Sequence, residues 1–242
     1  MVKKSYIKKY KRKFDIFKAI LDKDDPVVVE IGAHYGEDTL RFLEVFEKAR
    51  MYCFEPDPRN IEIFKQYVTN PRATLRTTAL AASDGTAKFY QSYQETPDQV
   101  PEKYDWITLE DYRKSLINSS GCSSLKKGHP HLLGDPIVVQ TERFDKWYNQ
   151  SDLGLIDLVW IDVQGAERDV IEGMGDAIHN VRLIWVEYGE LEYSGAMTYH
   201  ETIALLKEKN FVSVPQLSDH GQSGDLLFKL TMTASSPDKD KQ

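Results

Sequence analysis

The run from Pro26 to Pro58 constrains this chain of 242 residues more than any other. It reads PVVVEIGAHYG, then DTLRFLEVFEKA, then MYCFEPDP, a pattern that predicts strand, glycine turn, helix and strand. Val27, Val28, Val29 and Ile31 make the short continuous apolar run expected of a strand buried on both faces of a parallel sheet. Gly32 and Gly36 bracket its exit, where a chain turning at once into a helix needs positions without a Cβ. Such a turn also lets backbone N–H groups come close to a ligand. Leu40, Leu43 and Phe46 follow at helical spacing, and the next strand, Met51 to Phe54, ends on Glu55. An acid at the tip of the second strand of such a unit is placed to accept hydrogen bonds from ribose hydroxyls. The unit reads as the nucleoside-binding half of a doubly wound α/β sheet.

A dinucleotide fingerprint requires G-x-G-x-x-G after the strand, and the segment Glu30-Ile31-Gly32-Ala33-His34-Tyr35-Gly36 has no third glycine. This spacing resembles the first motif of class I S-adenosylmethionine-dependent methyltransferases, and Glu55 resembles their ribose-binding acid. Any βαβ unit can carry two glycines in its first turn, so that motif alone leaves simple turn formation open.

The length suits one α/β domain with decorations, and 41% hydrophobic with 29% charged residues is ordinary for a globular chain. A net charge of −7 argues against general nucleic-acid binding, which rests on phosphate neutralisation, while leaving room for a local basic patch. Cys53 and Cys122 offer neither a disulfide framework nor metal-ligand spacing, and no apolar run is long enough for a transmembrane segment or a signal sequence. A reducing, cytoplasmic setting is therefore expected.

Lys3, Lys4, Lys8, Lys9, Lys11, Arg12 and Lys13 crowd the start, interleaved with Tyr6, Ile7, Tyr10, Phe14 and Phe17, which suggests an amphipathic helix to about Leu21. A solvated basic face on a helix beside the core is preferred to a membrane-surface or RNA contact. Further on, Asp57 to Val68 predicts a helix, Ala73 to Ala79 a third strand, and Ala87 to Ser92 another. From Tyr93 to Pro136 the periodicity breaks down, with a short helix expected near Leu109 to Leu116. Its aromatics, Tyr93, Tyr104, Trp106 and Tyr112, favour a lid over disorder. His129 and His131 lie in the same stretch, where a histidine is a candidate base but more often simply solvated.

Ile137 to Thr141 returns to strand pattern and Phe144 to Tyr148 to helix. The block IDLVWIDVQGAERDVIEGM then predicts a buried strand ending in Asp162 and a helix opened by Gly165, and Val181 to Val186 a further strand ending in Glu187. Acids at the carboxyl ends of two strands sit where open α/β sheets place their ligands. A helix from Tyr199 to Lys209 and strands beginning near Phe211 and Asp225 complete the pattern, and the tail from Ala234 is expected to be disordered.

Taken in order, VVVEIGAHYGEDT, CFEPDP, ALAASDG, the serine pair of SSGCSSL, the IDLVWIDVQGAERDVIEGM block, VEYGE and LLKEKNF make the chain resemble the FkbM-type family of class I S-adenosylmethionine-dependent O-methyltransferases, which act on sugars and other hydroxyl-bearing natural products. The resemblance implies a Rossmann-like α/β fold, a seven-stranded mostly parallel sheet with helices on both faces and an antiparallel final strand. With the composition of the two ends, the chain is expected to divide into a basic helix over residues 1–24, a methyltransferase domain over 25–232 with a lid or acceptor insert at 93–136, and a disordered tail over 233–242.

Carried over by residue, it implies that Glu30, Gly32, Ala33, Gly36 and Thr39 surround the methionine portion of S-adenosyl-L-methionine, that Glu55 and Pro56 hold the ribose, and that Ala79 and Leu80 leave room for adenine. Asp162 and Val163 would face both cofactor and acceptor, with Ser123, Ser124 and Gln164 on the acceptor side. Gly165 and Glu167 are explained as well by helix initiation. His34 departs from the family's usual small amide and is a candidate base.

Transfer of a methyl group to an alcohol oxygen calls for alignment and for removal of the hydroxyl proton, by a positioned base or through a metal. Asp162 and Glu187 can be read either way: together they resemble the carboxylates that hold Mg²⁺ in catechol-type O-methyltransferases, where hard oxygen ligands would select Mg²⁺ or Mn²⁺, and one alone could act as base. The expected partner is a small-molecule or glycan acceptor, with another natural product, RNA or protein as alternatives and the oligomeric state open.

Overall fold

The computed structural model describes residues 4–93, 106–110, 120–132, 134–189, 193–215 and 221–231, with the side chains of 4–12 and 120 left aside. Tyr104, Tyr112, most of the helix expected over 109–116 and the tail from Ala234 lie outside the described residues. Helix α1 spans Lys4–Leu21. Strand β1 (Val27–Ile31), α2 (Glu37–Val45), β2 (Arg50–Phe54), α3 (Pro58–Tyr67) and β3 (Ala73–Arg76) follow. After them come β4 (Ala79–Leu80), β5 (Gly85–Phe89), β6 (Ile137–Glu142), α4 (Phe144–Gln150), β7 (Ile156–Ile161) and α5 (Glu167–Gly173). The chain closes with β8 (Val181–Gly189), α6 (Tyr199–Glu208), β9 (Phe211–Ser213) and β10 (Ser223–Leu230).

Seven strands form the main sheet in the order β3-β2-β1-β7-β8-β10-β9. The pairs β1–β2, β2–β3, β1–β7 and β7–β8 are parallel, and β10 is antiparallel to β8 and β9. This is the mostly parallel sheet with a reversed last strand that the sequence leads one to expect. Strand order reverses between β1 and β7, and the crevice outside the carboxyl ends at such a switch point is where open α/β sheets bind ligands.

Burial on both faces of the sheet explains why four of the five β1 residues are apolar. Val27, Val29 and Ile31 join the core under α4, α5 and α6, while Val28 joins the core under α1, α2 and α3. Glu30 follows Val28 toward the second face, where it is buried and accepts a hydrogen bond from the Thr39 hydroxyl of α2. Helix α3 starts cleanly, with Asp57 accepting from the Arg59 N–H at 3.1 Å and Pro58 opening the first turn.

The third strand departs from expectation. It ends at Arg76, and Ala79–Leu80 belongs to a second, three-stranded sheet in the order β4-β6-β5. There β4 runs parallel to β6 and β5 antiparallel. The apparent run from 73 to 79 is thus two short strands in different sheets, because Thr77 and Thr78 carry the chain from one to the other. The strands expected over 87–92 and 137–141 pair with each other in this second sheet, as Gly85–Phe89 and Ile137–Glu142.

Helix α1 is bound into the core by aromatic contacts. The Phe17 ring lies 5.8 Å from Trp160, 5.3 Å from Trp185 and 6.0 Å from Phe42. Lys13 places its Nζ 4.3 Å and 4.0 Å from the centres of the Trp160 and Trp185 rings and 3.4 Å from Asp225. No described helix is long and apolar enough to cross a membrane. Replacing Phe17, which is fully buried, by Ala should lower the unfolding free energy by about 3–5 kcal/mol, read from the urea midpoint. An unchanged midpoint would show that α1 is not part of the cooperative fold.

Candidate active site

The site begins where β1 ends. The Gly32 and Ala33 N–H groups both donate to the Phe54 carbonyl at 2.9 Å, folding the turn back over the tip of β2. Gly32 has φ +88, and a Cβ there would lie 1.8 Å from the Asp162 carbonyl oxygen, so the exits of β1 and β7 touch with no room for a side chain. Gly36, also at φ +88, has a different reason: a Cβ would meet Val68 at 2.4 Å and Phe64 at 2.9 Å, which makes it a packing position between α2 and α3.

Around this turn lies a cleft of about 290 Å³. Of the residues expected around a cofactor, Glu30, Gly32, Ala33, Glu55, Pro56, Ala79, Leu80, Asp162 and Val163 line it. His34, Ser123 and Gln164 line it too. Four expected residues do not. Gly36 is behind the turn, and Thr39 is buried against Glu30 and Cys53. Ser124 donates its hydroxyl to the Gln164 carbonyl at 2.6 Å. Glu187 is in contact with Asp162 but lines a separate small hollow with Glu167 and Tyr193. The expectation that two carboxylates face the cleft is therefore met by Asp162 alone.

Glu55 is held by three donors: the His34 N–H at 2.8 Å on one oxygen, the Asp57 N–H at 2.8 Å and the Asn60 side-chain amide at 3.1 Å on the other. It is 4% exposed, and burial, reinforced by the charge of Asp57, raises its pKa from 4.5 to about 7. Burial, with Asp38 nearby, likewise holds Glu30 well above the usual carboxylate range. Glu37 goes the other way. Burial opposes its ionisation, but the charge and ring hydrogen bond of His34, whose Nδ1 is 2.9 Å away, bring it down to about 2.

Sequence reasoning missed several lining residues, among them Glu37, Asp38, Asn60, Thr78 and Trp160. Two of these are the most informative atoms in the cleft. The Asn60 side-chain oxygen and the Thr78 hydroxyl are buried without a hydrogen-bond partner, and such groups are costly to leave unmet. Asn60 has a faint sequence signal, a polar residue in the first turn of the helix after the Glu55 tip; Thr78 has none. Five acids, Glu30, Glu37, Asp38, Glu55 and Asp162, line the cleft, with no Lys or Arg among the described lining residues. The donor set thus favours a cationic ligand with hydroxyl or amine groups to offer.

Asp162 and Glu187 do not fit a divalent cation as they stand. The Gln164 amide nitrogen donates to Asp162 Oδ1 at 2.6 Å and to Glu187 Oε2 at 2.8 Å, so a hydrogen-bond donor occupies the place between the oxygens that a cation needs. No group of three His, Cys, Asp or Glu side chains suited to a metal occurs among the described residues. Burial and the neighbouring Asp162 charge push Glu187 far above the carboxylate range, which leaves it a proton-holding partner behind Asp162.

The raised acids have a pH signature. A carboxyl whose pKa is higher folded than unfolded binds protons on folding, so its stability contribution is fully present below about pH 4.5 and is lost as pH rises through about 7. The lowered Glu37 acts oppositely, and only below about pH 4.5. Thermal melts of the unliganded protein should therefore fall between pH 5 and 8. Glu55→Gln should flatten that slope by on the order of 3 kcal/mol, since Glu55 moves from 4.5 to about 7. Parallel slopes for the two proteins would contradict this.

Comparison with known proteins agrees with the geometry. The model of the methyltransferase FkbM domain matches residues 30–213. The 2-O-methyltransferase NoeI of Sinorhizobium fredii (strain NBRC 101917 / NGR234) is 33% identical over 216 residues, spanning 88% of this chain and 83% of that protein. A solved structure from Clostridium thermocellum, presented as an rRNA methylase, shares the fold at 11% identity with a TM-score of 0.50, over 92% of this chain and 96% of that one. With its parallel sheet, its switch-point cleft and the matched span from Glu30 to Ser213, this chain belongs to the FkbM methyltransferase family.

Proposed function

We propose that this methyltransferase uses S-adenosyl-L-methionine to O-methylate a hydroxyl of a sugar or glycan. The observation that carries the cofactor assignment is the acid-lined cleft in which Glu55 stands beside the unpartnered Asn60 oxygen and Thr78 hydroxyl. Glu55 and Asn60 would hold the ribose, Ala79, Leu80 and Thr78 the adenine side, and Glu30, Gly32 and Ala33 the methionine side. When bound, the cofactor supplies a methyl group already activated on a sulfonium, whose positive charge suits an acid-lined cleft with no described lining Lys or Arg.

The remaining work falls to the chain. Asp162, at the tip of β7 and lining the cleft, is the group positioned to take the acceptor's hydroxyl proton on a carboxylate oxygen. Ser123 lines the same cleft with its hydroxyl oxygen already accepting from the Ser92 N–H at 3.0 Å and Arg59 at 3.2 Å, so its part is to shape the acceptor side of the wall. An acceptor rich in phosphate would meet carboxylates and no described lining Lys or Arg, which favours an uncharged polyhydroxyl acceptor over RNA. The likeness to a protein named 2-O-methyltransferase supports the same choice. In this reading the protein is cytoplasmic, where Cys53 and Cys122, both free thiols, stay reduced.

Labelled S-adenosylmethionine incubated with sugars, oligosaccharides, other hydroxylated small molecules and RNA tests the proposal. Label is expected on the carbohydrates; label on RNA alone would overturn the glycan assignment. Glu55→Ala should weaken S-adenosylhomocysteine binding by about 1.5–3 kcal/mol, ten-fold to over a hundred-fold, in calorimetric titration. Asp162→Asn should cost roughly 10²-fold or more in transfer, and excess chelator should leave the wild-type rate unchanged. Full transfer by Asp162→Asn would remove that residue from proton transfer.

A further inference from the structure

Gln164 is a non-glycine residue in the left-handed region, at φ +55, and is followed by Gly165 at φ +94. A Cβ on Gly165 would lie 2.5 Å from the Tyr193 side chain, so the turn is pinned from outside. Such backbone persists where the surroundings over-determine it. Here they do so through every polar group Gln164 can offer except its own N–H. Its carbonyl accepts from Ser124 at 2.6 Å and its side-chain oxygen from the Tyr193 hydroxyl at 3.1 Å. Its amide nitrogen uses one hydrogen on Asp162 at 2.6 Å and the other on Glu187 at 2.8 Å. The Tyr193 hydroxyl has a single hydrogen, which it shares between the Gln164 side-chain oxygen and the Cys122 carbonyl at 2.9 Å.

The Gln164 side chain thus joins Asp162, after β7, and Glu187, on β8, to Tyr193, while its backbone carbonyl holds the 120–124 segment through Ser124. We infer that Gln164 is a positioning residue for methyl transfer: it fixes the Asp162 carboxylate against the cleft and ties its placement to the segment carrying Ser123. The inference rests on the assignment of Asp162 as proton acceptor. A strut of this kind acts on rate more than on cofactor affinity, because the Glu55 end of the cleft lies on another strand. Asparagine is one methylene too short for both carboxyls, and glutamate would set a third acid against two.

Gln164→Gly is the informative variant, since glycine accepts the left-handed backbone without strain while removing the amide. With an acceptor from the panel above, it is expected to lower kcat about 30-fold or more and leave S-adenosylhomocysteine affinity within about threefold. In an Asp162→Asn background the same substitution should cost less than about threefold, because the group to be positioned is gone. Equal losses in both backgrounds would mark a merely structural residue and overturn the inference, as would an unchanged kcat in Gln164→Gly. An acceptor-free measurement separates this from the functional proposal. In ¹⁵N spectra with S-adenosylhomocysteine bound, assigned by its disappearance in Gln164→Gly, the Gln164 side-chain amide should exchange slowly and shift in Asp162→Asn. Exchange as fast as that of a solvated glutamine would refute the strut. Failure of every acceptor alongside a protected amide would sink the glycan assignment alone.

Discussion

The contact between Gly32 and the Asp162 carbonyl oxygen sets the geometry of everything above it. With a Cβ excluded at 1.8 Å, the exits of β1 and β7 can approach until the turn after one lies against the tip of the other. That approach brings Ala33 and Val163 to line a single cleft. It also allows the Ile31 carbonyl to accept from the Asp162 N–H at 3.0 Å, which continues the β1–β7 ladder to its last residue. A larger residue at position 32 would separate the strands at the switch point, and the acids they carry would no longer share a volume.

Those acids are one electrostatic system. Glu37 is drawn down by His34, Glu55 and Glu167 are raised by burial, and Glu187 is raised by burial and by Asp162. Concentrating this many carboxyls at one sheet edge costs folding free energy unless protons or a cation offset it. A cationic ligand therefore supplies what the fold itself lacks, and binding and stability are linked through the same charges.

The parts legible in the sequence were those fixed by local pattern. The β1–α2–β2 unit follows from a continuous apolar run, two glycines and helical spacing, and the tips at Glu55 and Asp162 follow from where apolar runs stop. The parts that were not legible depend on which strands are neighbours. Ala79 reads as the end of the third strand because nothing local marks the change of sheet at Thr77 and Thr78. Glu187 reads as a second cleft carboxylate because strand ends alone do not reveal that the Gln164 amide bridges the two acids and that Glu187 opens on a different hollow. Asn60 and Thr78 escaped because an unmet hydrogen bond is a property of assembled surroundings. The aromatic pattern around the basic start held its information in Phe14 and Phe17, which are core residues, more than in the lysines beside them.

The stacking of Trp160 on Trp185, with ring centres 5.3 Å apart, has an optical consequence. Trp160 belongs both to the core beneath α1 and to the wall of the cleft, and Lys13 rests over both indoles. Whatever fills the cleft replaces water against one edge of an indole whose other neighbours are protein. The chain thus carries its own fluorophore at the junction of core and site, so that filling of the cleft and loosening of the first helix each leave a mark on the emission of the same indole pair.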